Sequence, residues 1–275
     1  MVKIKQDNWN VDYETKYHKV CIHCTSDGFD ADSYIKTIDK YIELFFVKNE
    51  NKEIRINNTN KWWSYKVERI PRSKVKYQIV LQDENKNEIV LRGDTIGTYK
   101  QILKLKMKKR GMLSKKNLKS IDCLNLSILN FCDCGNEQVY NNHTVGSFFM
   151  IPKPNIPYVS MNTSRSSAPN YDNYYYYLNA VKAYLEDGDC KDTVLQQRFN
   201  ETEGYWNLFS KNFEGYMESM FLSSFSTEDM KEYSGKPEEW DIEKVNNYFE
   251  AINKSIYDRT QKLYEEYKSR NGLKK

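Results

Sequence analysis

The 275-residue sequence has only three histidines and none of the short motifs that identify the common hydrolases and nucleotide-binding enzymes. The His-Glu-x-x-His metal motif, the Gly-x-Ser-x-Gly nucleophile turn and the Gly-x-x-x-x-Gly-Lys-Ser/Thr phosphate loop are all missing. Because these motifs supply zinc ligands, a nucleophile or a backbone cradle for phosphate, their absence argues against those three enzyme classes. The sequence also lacks an internal repeat of about 20 to 50 residues, which argues against a solenoid.

Long apolar runs are missing as well. No stretch approaches the roughly 18 apolar residues of a membrane span, and residues 1–7 lack the run of about 7 to 15 apolar residues of a secretory signal. We therefore predict a cytoplasmic protein without membrane contact. In a reducing compartment the six cysteines are expected to be thiols or metal ligands, because disulfides do not persist there.

The net charge of +4 is divided unevenly along the chain. Residues 1–170 carry 28 Lys+Arg and 18 Asp+Glu, whereas residues 171–275 carry 14 Lys+Arg and 20 Asp+Glu. The first part is therefore basic and the second acidic. Such asymmetry indicates either that the basic part faces an acidic partner or that the two parts attract each other.

The N-terminal part has the patterns of one helix and several strands. After Asp30 apolar residues recur at spacings of three and four and predict a helix; they are Tyr34, Ile38, Tyr41, Ile42, Phe45 and Phe46. Residues 75–81 and 88–91 have the β-branched character of strands, with a hairpin loop between them. Residues 53–56 predict a strand with both isoleucines on one face, and residues 148–152 predict the end of another.

The C-terminal part has helical periodicity almost throughout. One stripe consists of Tyr174, Leu178, Val181 and Leu185, and a second of Tyr205, Phe209, Phe213, Tyr216, Met217, Met220 and Phe221. A third helix is predicted from an Asp241 cap to about residue 270. Pro152, Pro154 and Pro157 predict an extended linker before these helices.

Together these patterns predict an α+β fold. Residues 1–157 are expected to form a basic mixed part with a small antiparallel sheet. Residues 158–275 are expected to form an acidic, mostly helical part, and the two parts to pack as one compact unit.

The cysteines offer one candidate metal site. Cys21 and Cys24 have the two-residue gap with which two thiolates bind one Zn²⁺. The side chains that could complete its ligand shell are Cys123, Cys132, Cys134, His18 and His143. Because a second pair with the same gap is missing, we favour free thiols and predict neither a metal nor a cofactor.

Residues 100–119 contain nine basic side chains and no acidic one. The nine are Lys100, Lys104, Lys106, Lys108, Lys109, Arg110, Lys115, Lys116 and Lys119. Such a run attracts the phosphate backbone of nucleic acid by counterion release, and Trp62, Trp63 and Tyr65 could add stacking surfaces. Apolar residues are interleaved with the cations, however, and a solvated basic face is the more common outcome for this pattern.

The sequence Arg92-Gly93-Asp94-Thr95 follows a predicted strand. It is the best position in the chain for an acidic catalytic residue. An ordinary turn after the hairpin explains the same residues, and we favour the turn.

Several short segments carry a resemblance to a known family. They are residues 32–41, residues 91–96 (Leu-Arg-Gly-Asp-Thr-Ile), residues 144–146 with Ile151-Pro152, the turn Ser160-Met161-Asn162 with Arg165, and Phe209, Phe213, Tyr216, Phe221 and Asp258-Arg259. On these segments the chain resembles an uncharacterised bacterial family that is described only as a domain of unknown function. The resemblance spans most of the chain and implies no particular activity.

The chain departs from the family pattern after the Ser-Met-Asn turn. The resemblance implies Arg-Gly here, followed by a helix that starts with Asp-Arg-Phe-Asp. In this sequence Ser166 occupies the glycine position, and Asp172-Asn173-Tyr174-Tyr175 replaces the charged quartet. If those charges serve a reaction, this chain has lost it. If they form a buried ion pair, the tyrosines replace it with aromatic packing and a hydroxyl partner.

Two functions fit these observations. The first is a non-catalytic binding protein with an aromatic, partly basic surface for a protein partner. The abundance of Lys, Asn, Ile and Tyr is typical of an AT-rich bacterial or phage genome. Together with the absence of catalytic motifs, it suggests an origin in a phage or mobile element in conflict with its host.

The alternative is an enzyme or binder that acts on nucleic acid or a nucleotide. Its candidate ligand-binding residues are Asp94, Ser160, Asn162, Arg165 and Asp172. In this hypothesis the planar guanidinium of Arg165 binds phosphate. Under either function, the polar turn at Asn162 and the tyrosine run at residues 174–177 are where we expect a ligand or partner to bind.

Overall fold

The computed structural model describes residues 35–73, 76–95, 146, 148–154, 173–235 and 240–272. Helices and strands are numbered in chain order within these residues. The strands are β1 (Phe46–Lys48), β2 (Ile54–Ile56), β3 (Ser64–Arg69), β4 (Tyr77–Gln82), β5 (Glu88–Thr95) and β6 (Phe148–Lys153). The helices are α1 (Ile35–Phe45), α2 (Tyr174–Asp187), α3 (Thr193–Glu201), α4 (Glu203–Trp206), α5 (Phe213–Ser219), α6 (Thr227–Glu232) and α7 (Ile242–Arg270), and a 3₁₀ helix (Asn207–Phe209) follows α4.

The described strands form two small antiparallel sheets. Strands β3 to β6 pair in the order β3-β4-β5-β6, and β1 pairs with β2. The predicted α+β fold is thus confirmed. The predicted hairpin joins β4 to β5, where Gln82 pairs with Glu88, and in its loop the Asp83 carboxylate accepts the N–H of Asn87 at 2.8 Å.

Two boundaries differ from the predictions. Helix α1 ends at Phe45, and Phe46 begins β1 because the chain leaves the helix to pair with Ile56 of β2. Pro152 was predicted to lie in a linker, but it lies inside β6 opposite Leu91. Strand β6 is at the edge of the described sheet, where a strand tolerates the missing N–H of proline.

The apolar stripe of residues 205–221 does not form one helix. Ser210 and Lys211 have positive φ angles of 51° and 59°, which end the helical path. Asn212 then begins α5 by accepting the N–H of Gly215 at 3.1 Å. The side chains of the stripe still face the interior, because the structure buries all of them except the partly buried Phe221.

Arg259 lies near the middle of α7 and is fully buried. Its Nε and Nη2 donate to the carbonyl of Met220 at 3.2 and 2.9 Å. Its Nη1 donates to the carbonyls of Gly146 and Phe148 at 2.9 and 2.7 Å. No carboxylate among the described residues pairs with this guanidinium, and its hydrogen bonds there all go to backbone carbonyls. One side chain thus joins α7 to the start of β6 and to the end of α5.

Gly146 makes this arrangement possible. A Cβ atom at this position would lie 2.0 Å from Oγ1 of Thr260 and 2.7 Å from the carbonyl oxygen of Ile256. No side chain fits in that space, so only glycine lets the backbone approach α7 this closely. The approach brings the Gly146 carbonyl within hydrogen-bond distance of Arg259.

The last turn of α1 is completed by residues far along the chain. A helix leaves its last carbonyls without intrahelical partners. Here Nη1 of Arg270, at the end of α7, donates to the carbonyls of Glu43 and Phe46 at 2.8 and 2.9 Å. The side chain of Asn57 donates to the carbonyl of Leu44 at 2.7 Å. These contacts fix α1 and the β1–β2 pair against the end of α7.

Replacing Arg259 with lysine is expected to destabilise the fold strongly. Arg259→Lys keeps the buried charge but cannot reach the three carbonyls, so the free energy of unfolding should fall by about 2 to 4 kcal/mol. Chemical denaturation monitored by circular dichroism measures this change. The exposed Lys254 of the same helix provides the control, since Lys254→Ala should change stability by less than about 0.5 kcal/mol. Equal effects of the two substitutions would contradict the role of Arg259.

Two tyrosine hydroxyls should respond in opposite ways to removal. The hydroxyl of Tyr205 is buried without a hydrogen-bond partner among the described residues, whereas that of Tyr176 donates to Asp192 at 2.8 Å. Tyr205→Phe should therefore leave the free energy of unfolding unchanged or raise it by up to about 1 kcal/mol, and Tyr176→Phe should lower it by about 1 kcal/mol. Thermal and chemical denaturation of both variants test this prediction. A large decrease in the free energy of unfolding of Tyr205→Phe would mean that the hydroxyl of Tyr205 does have a hydrogen-bond partner.

Candidate functional site

Only Asp94 among the predicted ligand-binding residues lies within the described part of the chain. Ser160, Asn162, Arg165 and Asp172 lie outside it. The candidate nucleic-acid-binding residues Lys104, Lys106, Lys108, Lys109, Arg110, Lys115 and Lys116 lie outside it as well, as do Cys21 and Cys24. The roles assigned to these residues stay predictions.

Asp94 belongs to a strand. The residue is 2% exposed and pairs with Phe149 of β6. The turn predicted for Arg92-Gly93-Asp94-Thr95 is therefore wrong, because pairing with β6 keeps all four residues extended. Its burial means that a ligand could contact Asp94 only by entering the packed face of the sheet.

The tyrosine run at the start of α2 belongs mostly to the core. Its three buried members are Tyr174, Tyr175 and Tyr177. The ring of Tyr174 lies 5.1 Å from that of Phe149, which places α2 against β6. Asn173 caps the helix by accepting the N–H of Tyr175 at 3.1 Å. The expectation that this run provides a binding surface is wrong for the three buried tyrosines.

Aromatic surface is limited in the part of the chain that the structure describes. Trp62 and Val194 are its exposed large hydrophobic residues, each at 37%. The guanidinium carbon of Arg55 lies 5.2 Å from the ring centre of Trp62. Trp63 is buried and Tyr65 is partly buried, so a stacking surface formed by all three predicted aromatics is not present.

A cavity of about 940 Å³ opens between the β1–β2 pair and helices α2, α5, α6 and α7. Its apolar lining consists of Val47, Phe213, Met217, Phe221 and Phe225, and its acidic lining of Glu186, Glu214, Glu218, Glu228 and Glu266. We call this cavity the acidic groove. The cavity is large enough to bind either a small molecule or a segment of another polypeptide chain.

Phe221 has an unusual backbone in this groove. Its φ angle is 54°, and a bulky side chain is rarely found in this left-handed region. Two backbone hydrogen bonds hold this conformation. The N–H of Phe221 donates to the carbonyl of Glu218 at 3.0 Å, and the N–H of Leu222 donates to the carbonyl of Met217 at 2.7 Å. The aromatic ring is thereby placed between the groove and Phe45, 6.0 Å from the ring of that core residue.

Four of the groove glutamates have no cationic partner among the described residues. They are Glu186, Glu214, Glu218 and Glu228, and all four are exposed. Two of them lie in first turns of helices, Glu214 in α5 and Glu228 in α6. There a carboxylate interacts favourably with the helix dipole. Helix stabilisation therefore explains part of the acidic character, but not Glu186 or Glu218, which lie further along their helices.

Three cations also line the groove, against five glutamates. Arg270 donates to Glu266 at 2.6 Å in addition to its bonds with the end of α1. Arg55 donates to the carbonyl of Thr59 at 2.5 Å. Lys182 lies 6.0 Å from the ring centre of Phe213. The groove therefore combines an apolar lining with an excess of negative charge.

Sequence reasoning missed this groove because its residues are scattered from Val47 to Arg270. Only the fold brings them together, because β1, β2 and four helices each contribute to the lining. The acidic composition of residues 171–275 was the one available signal, and it did not specify a position.

Other chemistry is sparse in the described residues. No group of three His, Cys, Asp or Glu side chains there could hold a metal ion. Burial raises the pKa of the Cys190 thiol to about 11, so this thiol is protonated at neutral pH and is a poor nucleophile. No described helix has both the length and the apolar character to cross a membrane.

Comparison of the chain with protein-family models, with curated proteins and with solved structures finds no match.

Proposed function

We propose that the protein is a non-catalytic binding protein whose acidic groove takes a basic amphipathic segment of a protein partner. One observation carries the proposal. The groove combines an apolar lining, in which Val47 and Phe221 are partly exposed and Phe213, Met217 and Phe225 are buried, with four glutamates that have no cationic partner among the described residues.

The apolar lining and the glutamates of the groove favour the same kind of ligand. An amphipathic helix binds a groove by laying its apolar face on an apolar surface. Glutamates around such a surface attract lysine and arginine on the flanks of that helix and disfavour acidic segments. A basic amphipathic segment satisfies both requirements, whereas a neutral small molecule satisfies only the first.

The strained backbone at Phe221 supports a binding role for the groove. Left-handed conformations of bulky residues cost about 1 to 3 kcal/mol and cluster at binding and catalytic sites. In this structure the conformation turns the chain between α5 and α6, so that residues from both helices line one cavity.

A model peptide tests the proposal directly. The probe is a helical Leu/Lys peptide of about 18 residues with an apolar stripe, and isothermal titration calorimetry at low salt measures its affinity. The double substitution Glu214→Lys/Glu218→Lys should weaken binding by about tenfold or more, because two attractions become repulsions. Raising the salt concentration should weaken binding of the unsubstituted protein, since exposed charges are screened.

Two controls separate the groove from general charge. Glu243→Lys/Glu250→Lys on α7 makes the same charge change outside the groove, again with one residue in the first turn of its helix. A peptide of the same composition without the stripe tests the apolar contribution. The proposal is rejected if the two double variants bind equally well, or if the scrambled peptide binds as tightly as the amphipathic one.

Contact with nucleic acid is the alternative that we propose, and the nine basic side chains of residues 100–119 support it. Affinity purification of the tagged protein, with both protein and nucleic acid identified in the eluate, distinguishes the two. A stoichiometric protein that is lost with Glu214→Lys/Glu218→Lys favours the groove. Recovery of nucleic acid alone favours the basic segment.

A further inference from the structure

A row of polar side chains crosses one face of the four-stranded sheet, away from the acidic groove. Glu68 of β3 pairs in register with Gln78 of β4. The amide nitrogen of Gln78 donates to Glu68 at 2.8 Å, and Nε of Arg92 on β5 donates to the amide oxygen of Gln78 at 2.9 Å. Three neighbouring strands thus each contribute one member of a hydrogen-bonded row.

This row orients the guanidinium of Arg92 without neutralising it. Gln78 occupies the space between Arg92 and Glu68, so the carboxylate does not pair with the guanidinium. Glu68 instead pairs with Lys66 at 3.2 Å. Among the described residues no carboxylate lies within ion-pair distance of Arg92, and its Nη groups make no hydrogen bond there.

Lys153 of β6 lies next to Arg92 on the same face. Arg92 pairs in register with Ile151, and Lys153 is two residues further along β6. Because alternate residues of a strand share a face, Lys153 is the diagonal neighbour of Arg92, within reach of a long side chain. Its Nζ donates only to the carbonyl of Pro154, at 3.3 Å, among the described residues.

The two cations are therefore partly buried side by side without a counterion among the described residues. Burial lowers the pKa of Arg92. Burial and, secondly, the charge of Arg92 lower the pKa of Lys153. Asp94 is on the same face of β5, but it is buried and does not pair with Arg92. Two like charges in this position repel each other, and a bound anion would relieve that repulsion.

We propose that Arg92 and Lys153 form a binding site for a phosphoryl group. The planar guanidinium, held by Gln78 through Nε, presents its Nη groups as a fork that matches two oxygens of a phosphate. The Lys153 ammonium adds a point charge beside the fork. A fixed fork loses little conformational entropy on binding, which is what distinguishes this pair from solvated surface cations.

The experiment titrates the full chain separately with inorganic phosphate and with adenosine monophosphate, at constant ionic strength maintained with sodium chloride. Isothermal titration calorimetry measures the affinity, and the melting temperature should rise with ligand concentration. Arg92→Gln and Lys153→Gln are each expected to weaken binding by about tenfold or more. Arg69→Gln provides the control, because this exposed arginine lies on the opposite face of the same sheet.

A second measurement does not depend on the stability of the variants. In the unsubstituted protein, a phosphate bound at this site should raise the pKa of the Lys153 ammonium, which NMR of the side-chain nitrogen can follow. Tighter binding of adenosine monophosphate than of phosphate assigns the phosphoryl group to a nucleotide, and equal binding assigns it to free phosphate. The proposal is overturned if neither ligand binds, if Arg69→Gln weakens binding as much as Arg92→Gln, or if the pKa of Lys153 does not move.

Discussion

The buried guanidinium of Arg259 is the contact on which the described fold depends. A charge in the interior is stable only when polar groups surround it, and here three backbone carbonyls do so. Those carbonyls belong to Met220, at the end of α5, and to Gly146 and Phe148, at the start of β6. The need of one side chain for hydrogen-bond acceptors therefore fixes α5, β6 and α7 relative to one another. Because these acceptors are backbone carbonyls, they cannot rotate towards a misplaced donor as a carboxylate side chain can. The position of the guanidinium is therefore tightly constrained.

The acidic groove is a consequence of this rigidity. With α7 fixed at Arg259, its last turn reaches α1 and the β1–β2 pair, where Arg270 binds the carbonyls that α1 leaves open. Between the short helices α5 and α6 the chain turns at Phe221, whose φ angle is positive, and Met220 and Ser224 on either side of it are hydrogen-bonded to α7. The space left between them and the β1–β2 pair is the cavity. Its lining carries five glutamates and three cations, Arg55, Lys182 and Arg270, so the glutamates set the sign of its charge.

Sequence patterns predicted what depends on neighbours along the chain. The strand at Ile54–Ile56 follows from alternation, and α7 follows from its Asp241 cap and apolar stripe. Features that depend on contacts between residues distant in sequence were not predicted. Asp94 is extended only because β6 pairs beside it, the stripe near Ser210 breaks through a backbone angle that no periodicity encodes, and the groove combines residues from both ends of the described chain. The two cations of the sheet face became visible only with the register of β5 and β6.

The contact between Arg270 and the end of α1 also has a consequence for synthesis. During translation the N-terminal residues leave the ribosome first and can begin to fold. The carbonyls of Glu43 and Phe46, however, receive their side-chain donor from a residue more than 220 positions later. Before residue 270 is synthesised, the carbonyls of Glu43 and Phe46 lack this donor, and only the contact of Asn57 with Leu44 can form at the end of α1. The contacts of the first described helix can therefore be complete only when the last helix is in place.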